Sequence, residues 1–238
     1  MPRGTVLGWA LALSVASCTP AEAPLTVFAA ASLTDIAQEV AAATPGGEVR
    51  VVTGATSLLA RQIAQGAPAD VFLSAHPMWV RHLGAAGRVR QPVVPLATGE
   101  LVVVARRGAS RRASTPTQAL EAAGRIAIAD PAHVPAGRYA REALGDAWGD
   151  VEPRVVPTSD VRAALVAVEQ GAADAAIVYA SDVLRSEALA VVYRFASGPA
   201  VRYEGVVVGD HPDAAGWLRG LASQSQAWRR LGFKPPAP

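Results

Sequence analysis

Leu25-Thr26-Val27-Phe28-Ala29-Ala30-Ala31-Ser32-Leu33-Thr34-Asp35-Ile36-Ala37-Gln38-Glu39-Val40-Ala41-Ala42-Ala43 changes its hydrophobic period partway through. Residues 25–30 form an apolar run of strand length. From Leu33 onward, Leu33, Ile36 and Val40 fall on one face of a helix over residues 33–43. The change falls at Ala31-Ser32, so a small hydroxyl residue stands where a strand ends and a helix begins. The same pattern recurs along the chain. Strands are expected at residues 48–53, 71–74, 101–105, 125–129, 155–156, 175–179 and 203–208. Helices are expected at 58–65, 77–86, 117–123, 137–144, 161–170 and within 214–231, several of them stopped by a glycine such as Gly66 or Gly171. Alternation of this kind predicts an α/β fold of mostly parallel sheets flanked by helices.

Two of these strands, at 101–105 and 203–208, read as crossings between two lobes. Lobe 1 is then 25–102 plus 205–238 and lobe 2 is 103–204, with the C-terminal helices returning to the first. One continuous sheet is the other arrangement that periodicity allows. The 238 residues are 51% hydrophobic and 18% charged, enough to bury a core and too apolar for a disordered chain. The 22 basic and 20 acidic residues are interspersed, with no basic block or basic-aromatic stripe, so no nucleic-acid partner is expected. The single cysteine, Cys18, excludes an intrachain disulfide framework. His76, His82, His133 and His211 show no close metal-ligand spacing.

The first segment reads as an address. Arg3 precedes a mostly apolar run over residues 5–13, too short to span a membrane as a mature helix and suited to an export signal. Val15-Ala16-Ser17-Cys18 resembles the bacterial lipobox, in which the cysteine becomes the lipidated first residue. Residues 1–17 are then a lipoprotein signal peptide and 18–24 the lipidated Cys18 and its tether. An ordinary secretory signal cut after Ala21-Glu22-Ala23 is the other reading, disfavoured by Pro24 after the cut.

Hydroxyl or small residues open several of the expected helices: Ser32 before Leu33, Thr56-Ser57 before Leu58, Pro135-Ala136-Gly137, and Thr158-Ser159-Asp160 before Val161. Each alone reads as a helix cap. As a set they stand at the carboxyl ends of strands, where open α/β sheets bind ligands and helix N-termini offer free N–H groups to anions.

Several motifs in order resemble the molybdate-binding proteins of ABC importers. They are Phe28-Ala29-Ala30-Ala31-Ser32-Leu33-Thr34, Leu59-Ala60-Arg61-Gln62-Ile63, Gly66-Ala67-Pro68-Ala69-Asp70-Val71-Phe72, Ala129-Asp130-Pro131-Ala132-His133-Val134-Pro135-Ala136-Gly137, Asp160-Val161-Arg162-Ala163-Ala164-Leu165 and Ile177-Val178-Tyr179-Ala180-Ser181-Asp182. The resemblance covers essentially the whole mature chain. It implies a type II periplasmic-binding-protein fold with the ligand in the cleft between lobes, and one tetrahedral oxyanion held by neutral donors. By motif, Ser32 and Thr56 supply hydroxyl and backbone N–H, Ala136 and Val161 backbone N–H, and Tyr179 its phenolic O–H. Ser57 is the reserve candidate, because Ala55-Thr56-Ser57 departs from the usual serine-rich version. Asp35 stands where many relatives carry Asn and receives no ligand role.

The resemblance also implies delivery of molybdate, or tungstate, to a membrane permease with its ATPase. Such a protein sits outside the cytoplasmic membrane and is expected to be a monomer, and the lipobox reading adds a lipid anchor at Cys18. It has no catalysis, no cofactor and no direct protein–metal bond. The residue chemistry agrees: a deprotonated dianion accepts from several donors, and the five positions offer donors without a fixed countercharge. Sulfate or another tetrahedral oxyanion is the rival ligand. A serine hydrolase built on Ser32 or Ser57 is the reading from another class, and no G-x-S-x-G elbow occurs to support it. A DNA-binding sensor lacks any DNA-binding helices before Leu25. Asp70, Asp130 and Asp182 read as turn caps.

Overall fold

The computed structural model describes residues 23–108, 112–196 and 198–236. The expected signal peptide, lipobox and lipidated Cys18 lie outside the described residues.

The chain begins with β1 (Leu25–Ala30), α1 (Thr34–Ala42), β2 (Val49–Gly54), α2 (Thr56–Ala64), β3 (Val71–Ser74), α3 (Pro77–Ala85) and β4 (Val94–Gly99). It continues with β5 (Leu101–Arg106), α4 (Pro116–Leu120), β6 (Ile126–Ala129), α5 (Pro135–Leu144), α6 (Trp148–Val151), β7 (Val155–Thr158), α7 (Val161–Glu169), β8 (Ala175–Tyr179), α8 (Ala180–Val183) and β9 (Leu189–Arg194). It ends with β10 (Val201–Val207), α9 (Ala214–Ser223) and α10 (Ser225–Arg230).

The strands form two five-stranded sheets, ordered β2-β1-β3-β10-β4 and β7-β6-β8-β5-β9. This is a two-lobed α/β fold, and the single continuous sheet is set aside. In each lobe four strands run one way and one runs against them: β10 in the first, β5 in the second. The reversed strands are those that carry the chain between lobes. Only Glu100 separates β4 in one sheet from β5 in the other. β5 pairs throughout in the second sheet and β10 throughout in the first, so the expected cuts after residues 102 and 204 fall inside these strands.

The all-apolar strands follow from burial on both faces. In β1 and β3, Val27, Ala29, Val71 and Leu73 face the large core shared with α1 and α9. Phe28 and Phe72 point the other way, into a second cluster with Leu59, Ile63, Trp79 and Leu83 of α2 and α3. Successive side chains of a strand must alternate in this way. β4 and β9 were absent from the sequence expectation. Both are edge strands broken by a register shift, β4 at Pro95 opposite Glu204 and β9 opposite Val103 and Val104. Among the described residues no helix is long and apolar enough to cross a membrane.

Candidate functional site

Four helical segments start at the carboxyl ends of parallel strands and converge on one small cavity between the lobes. Its lining includes Ser32, Thr56, Ala136, Val161 and Tyr179, together with Gly54, Ala55, Ala75 and Asp160. The cavity has a volume of about 10 Å³, on a measure where one water needs roughly 10–15 Å³. The lobes as they stand thus leave room for about one water where the helix starts converge. Ser32, Thr56, Ala136, Val161 and Tyr179 are all buried. Ser57 is buried too but does not line the cavity, so the structure brings Thr56 there in its place.

The local sequence leaves donors free at each start. The turn at Ala31–Leu33, which leads into α1, begins after Ala30 and has no side-chain cap. α2 follows Ala55 and α5 follows Val134, again without one. The first N–H groups of a helix have no partner inside it, so at these three starts they are available to whatever occupies the cavity. Pro135 occupies the first position of α5, which makes the Ala136 N–H its leading donor. α7 is arranged differently. Asp160 Oδ1 accepts from the N–H groups of Arg162 and Ala163, both at 2.9 Å, which leaves the Val161 N–H uncommitted. By contrast α3 and α4, none of whose residues line the cavity, are capped by His76 and Thr115. Thr56 Oγ1 receives only a long contact of 3.5 Å from the Ala75 N–H, so its own proton is free to donate. The Tyr179 hydroxyl is buried and has no hydrogen-bond partner in the protein. Burial holds it well above its ordinary pKa of 10, with Tyr203, Tyr139 and Asp182 adding to the rise, so it stays a protonated donor.

Among the described residues no Lys, Arg or His lines the cavity. The arrangement can therefore hold an anion through hydroxyls, amides and helix-end fields, without a fixed countercharge. Across the cleft His76 of the first lobe stacks on Tyr139 of the second, ring centroids 4.8 Å apart. Burial, with Arg138 and Arg81 nearby, lowers the His76 pKa to about 4, so the ring is neutral and its Nδ1 accepts from the Met78 N–H at 3.0 Å.

Asp70 does not cap a local turn but accepts from the Thr26 N–H of β1, 44 positions away, whereas Asp130 does cap its turn, accepting from the Ala132 N–H. Asp182 does not. Its carboxylate is buried at the lobe interface with neither oxygen hydrogen-bonded, 3.5 Å from Arg162 Nε. Burial raises its pKa to about 7 against the lowering effect of Arg162, because that contact is too long to repay the desolvation. The buried hydroxyls of Ser181 and Tyr203 lack partners as well. No spacing in the sequence marks this polar cluster behind Tyr179, since tertiary packing alone assembles it.

The Asp182 shift has a pH consequence. The folded protein keeps this proton between pH 3.8 and about 7, where the unfolded chain has lost it. The contribution is thus present at low pH and lost as pH rises through about 7. His76 runs the opposite way: its lowered pKa favours the folded state increasingly as pH rises from about 4 to 6.5. Above pH 7 only the Asp182 cost remains. Asp182→Asn is expected to melt about 2–4 °C higher than the unsubstituted protein at pH 8, a shift worth roughly 1 kcal/mol in a chain of this size. The difference shrinks or reverses at pH 5. Equal melting temperatures at both pH values would remove the buried acid from the stability balance.

Comparison with known proteins adds to this geometry. A family model described as bacterial extracellular solute-binding protein matches residues 25–234. The chain is 37% identical over 250 aligned residues to the molybdate-binding protein ModA of Escherichia coli, covering 95% of each. It is 34% identical to the ModA of Haemophilus influenzae, covering 90% of each. The periplasmic molybdate-binding protein of Azotobacter vinelandii superposes with a TM-score of 0.76 at 20% identity, over 90% of this chain and 100% of that one. At that identity the superposition speaks for the fold alone.

Proposed function

The chain belongs to the bacterial extracellular solute-binding protein family, and from that premise we propose that it binds molybdate outside the cytoplasmic membrane and hands it to an ABC importer. Members of this family are solute-binding proteins, not enzymes, and the ligand is a passenger that calls for no cofactor. The observation that carries the reading is the convergence of four helix starts and the orphan Tyr179 hydroxyl on one small, cation-free cavity.

In this reading Ser32 and Thr56 each donate a hydroxyl and a backbone N–H from the first lobe. Ala136 and Val161 donate backbone N–H groups, and Tyr179 its hydroxyl, from the second. The metal atom touches no protein atom; its oxygens accept every bond. Tungstate, with the same shape and charge, binds alongside molybdate. A protonated phosphate is disfavoured because its own O–H needs an acceptor, and Asp160, the one carboxylate lining the cavity, accepts from two amides at Oδ1 and from the Ser159 hydroxyl at Oδ2. Discrimination against sulfate is expected to come from anion size, since its shorter bonds set its oxygens closer to the centre and farther from the donors. The protein acts as a monomer that docks on a permease with its ATPase. Its mature form is tethered by a lipid on Cys18, which the intact mass of the exported protein reads directly.

Calorimetric titration of anion-free protein with molybdate, tungstate, sulfate and phosphate in separate runs tests the assignment. One-to-one binding of molybdate and tungstate with sulfate and phosphate silent is expected. Sulfate binding equally well would keep the helix-end site and change the nutrient. Silence from all four would overturn the reading.

A further inference from the structure

Arg162 follows Val161 in the first turn of α7, and its side chain leaves the second lobe to reach the first. Its Nη2 donates to Asp35 Oδ2 at 2.7 Å, and Asp35 lies in the first turn of α1, two residues after the turn that carries Ser32. Arg185, just beyond α8 on the second lobe, ion-pairs with the other oxygen of Asp35. Behind Arg162 stands Asp182, 3.5 Å from Nε. The row runs Asp182, Arg162, Asp35, Arg185, from a buried inner end to an exposed outer one, with side chains 1%, 29%, 17% and 59% exposed. One carboxylate of the first lobe is thus gripped by two guanidiniums of the second at the edge of the cavity, and one grip comes from the residue next to a cavity-lining amide.

We infer that Asp35, Arg162 and Arg185 form an interlobe clasp that positions the α7 N-terminus over the bound anion and sets how fast the anion leaves. The inference rests on the binding reading above and adds residues that do not touch the ligand. The members sit on different lobes, so their contacts exist in the closed state and are lost on opening. A contact of that kind acts on release: opening must break it, whereas the anion meets an open cleft in which it is not yet made. Arg162 is thereby a positioning residue. Its charge is met by Asp35 rather than by the ligand, which keeps the cavity itself free of a fixed cation.

Stopped-flow measurement of molybdate association and release decides the matter, using the unsubstituted protein, Asp35→Asn, Arg185→Gln and the double variant, at low and high KCl. Asp35→Asn is expected to release molybdate about tenfold faster, the effect of a partly buried two-armed ion pair, with association changed less than about twofold. Salt should speed release from the unsubstituted protein by screening the clasp and have little effect on Asp35→Asn. The two single effects should fail to add, since both remove the same pair, and Asp35→Glu should restore part of the slow release. An unchanged release rate with a lowered melting point of the anion-free protein would overturn the clasp and leave a plain structural ion pair. If the unsubstituted protein binds no molybdate, the function reading fails by itself. The clasp is then judged by the distance between one spin label on each lobe, which Asp35→Asn must lengthen; an unchanged distance overturns it.

Discussion

Val161→Pro is expected to abolish tight anion binding, lowering affinity at least about a hundredfold, while leaving the fold intact. Position 161 is the first of α7, where proline is favoured because the N–H there has no acceptor within the helix. The residue before a proline must be extended, and Asp160 already is, with φ −158° and ψ 178°. The Asp160 cap serves the amides of Arg162 and Ala163 and is untouched. What changes is the cavity: an N–H is replaced by a ring methylene at the spot where, in the proposed reading, an oxygen of the ligand accepts. Losing a hydrogen bond to a charged group costs about 1.5–3 kcal/mol. The methylene also crowds that oxygen, which takes the loss past the roughly 2.7 kcal/mol that a hundredfold represents. Calorimetry and a melting curve on the same sample check both halves. Val161→Ala keeps the N–H and should bind within a few-fold of the unsubstituted protein. Undiminished binding by Val161→Pro would place the anion away from α7.

The choice of neutral donors has a mechanical reason. A lysine or arginine on one lobe would hold a dianion in the open cleft almost as well as in the closed one, so binding would not drive closure. Here the first lobe presents Ser32 and Thr56 and the second presents Ala136, Val161 and Tyr179, so each lobe alone offers only part of a shell. A ligand shifts a conformational equilibrium only by its difference in affinity for the two states. Splitting the donors makes that difference large. The cationic groups sit beside the cavity instead, where Arg162 and Arg185 tie lobe to lobe through Asp35.

Strands buried on both faces were legible because they are apolar at nearly every position: β1, β3 and β8 all begin and end at the expected residues. β4 and β9 were not, because an edge strand with a register break tolerates Pro95 and an irregular pattern. The helix starts shifted in an instructive way. Residues 58 and 137 were expected to open helices that in fact begin at Thr56 and Pro135. Hydroxyls read as caps outside a helix therefore lie inside its first turn, and this brings Thr56 and the Ala136 N–H to the cavity. The five residues carried over from the family resemblance line one cavity. The clasp had no signal at all, since Asp35 and Arg162 are 127 positions apart and read singly as surface charges.

Gly137→Ala is the second substitution with a large expected effect, and its sign is diagnostic. Alanine in place of glycine inside a helix ordinarily stabilises by roughly 0.5–1 kcal/mol, because glycine loses more backbone freedom on folding. Gly220 in α9 has nothing within 4 Å of where a Cβ would stand, so Gly220→Ala should show that ordinary gain. At Gly137 the Cβ would lie 1.8 Å from the Ala129 carbonyl oxygen and 2.8 Å from two backbone carbons of residues 129 and 130. Backbone cannot swing aside as a side chain can, so α5 must move off the end of β6. That contact is what sets the Ala136 amide over the cavity. The expected result is a loss of several kcal/mol of stability, at the large end for single substitutions, and a loss of anion affinity beyond about a hundredfold in whatever folds. Thermal melts of Gly137→Ala and Gly220→Ala side by side, each followed by titration with molybdate, read both effects. If Gly137→Ala melts as high as Gly220→Ala and binds as tightly as the unsubstituted protein, the close seating of α5 on β6 plays no part in holding the donor in place.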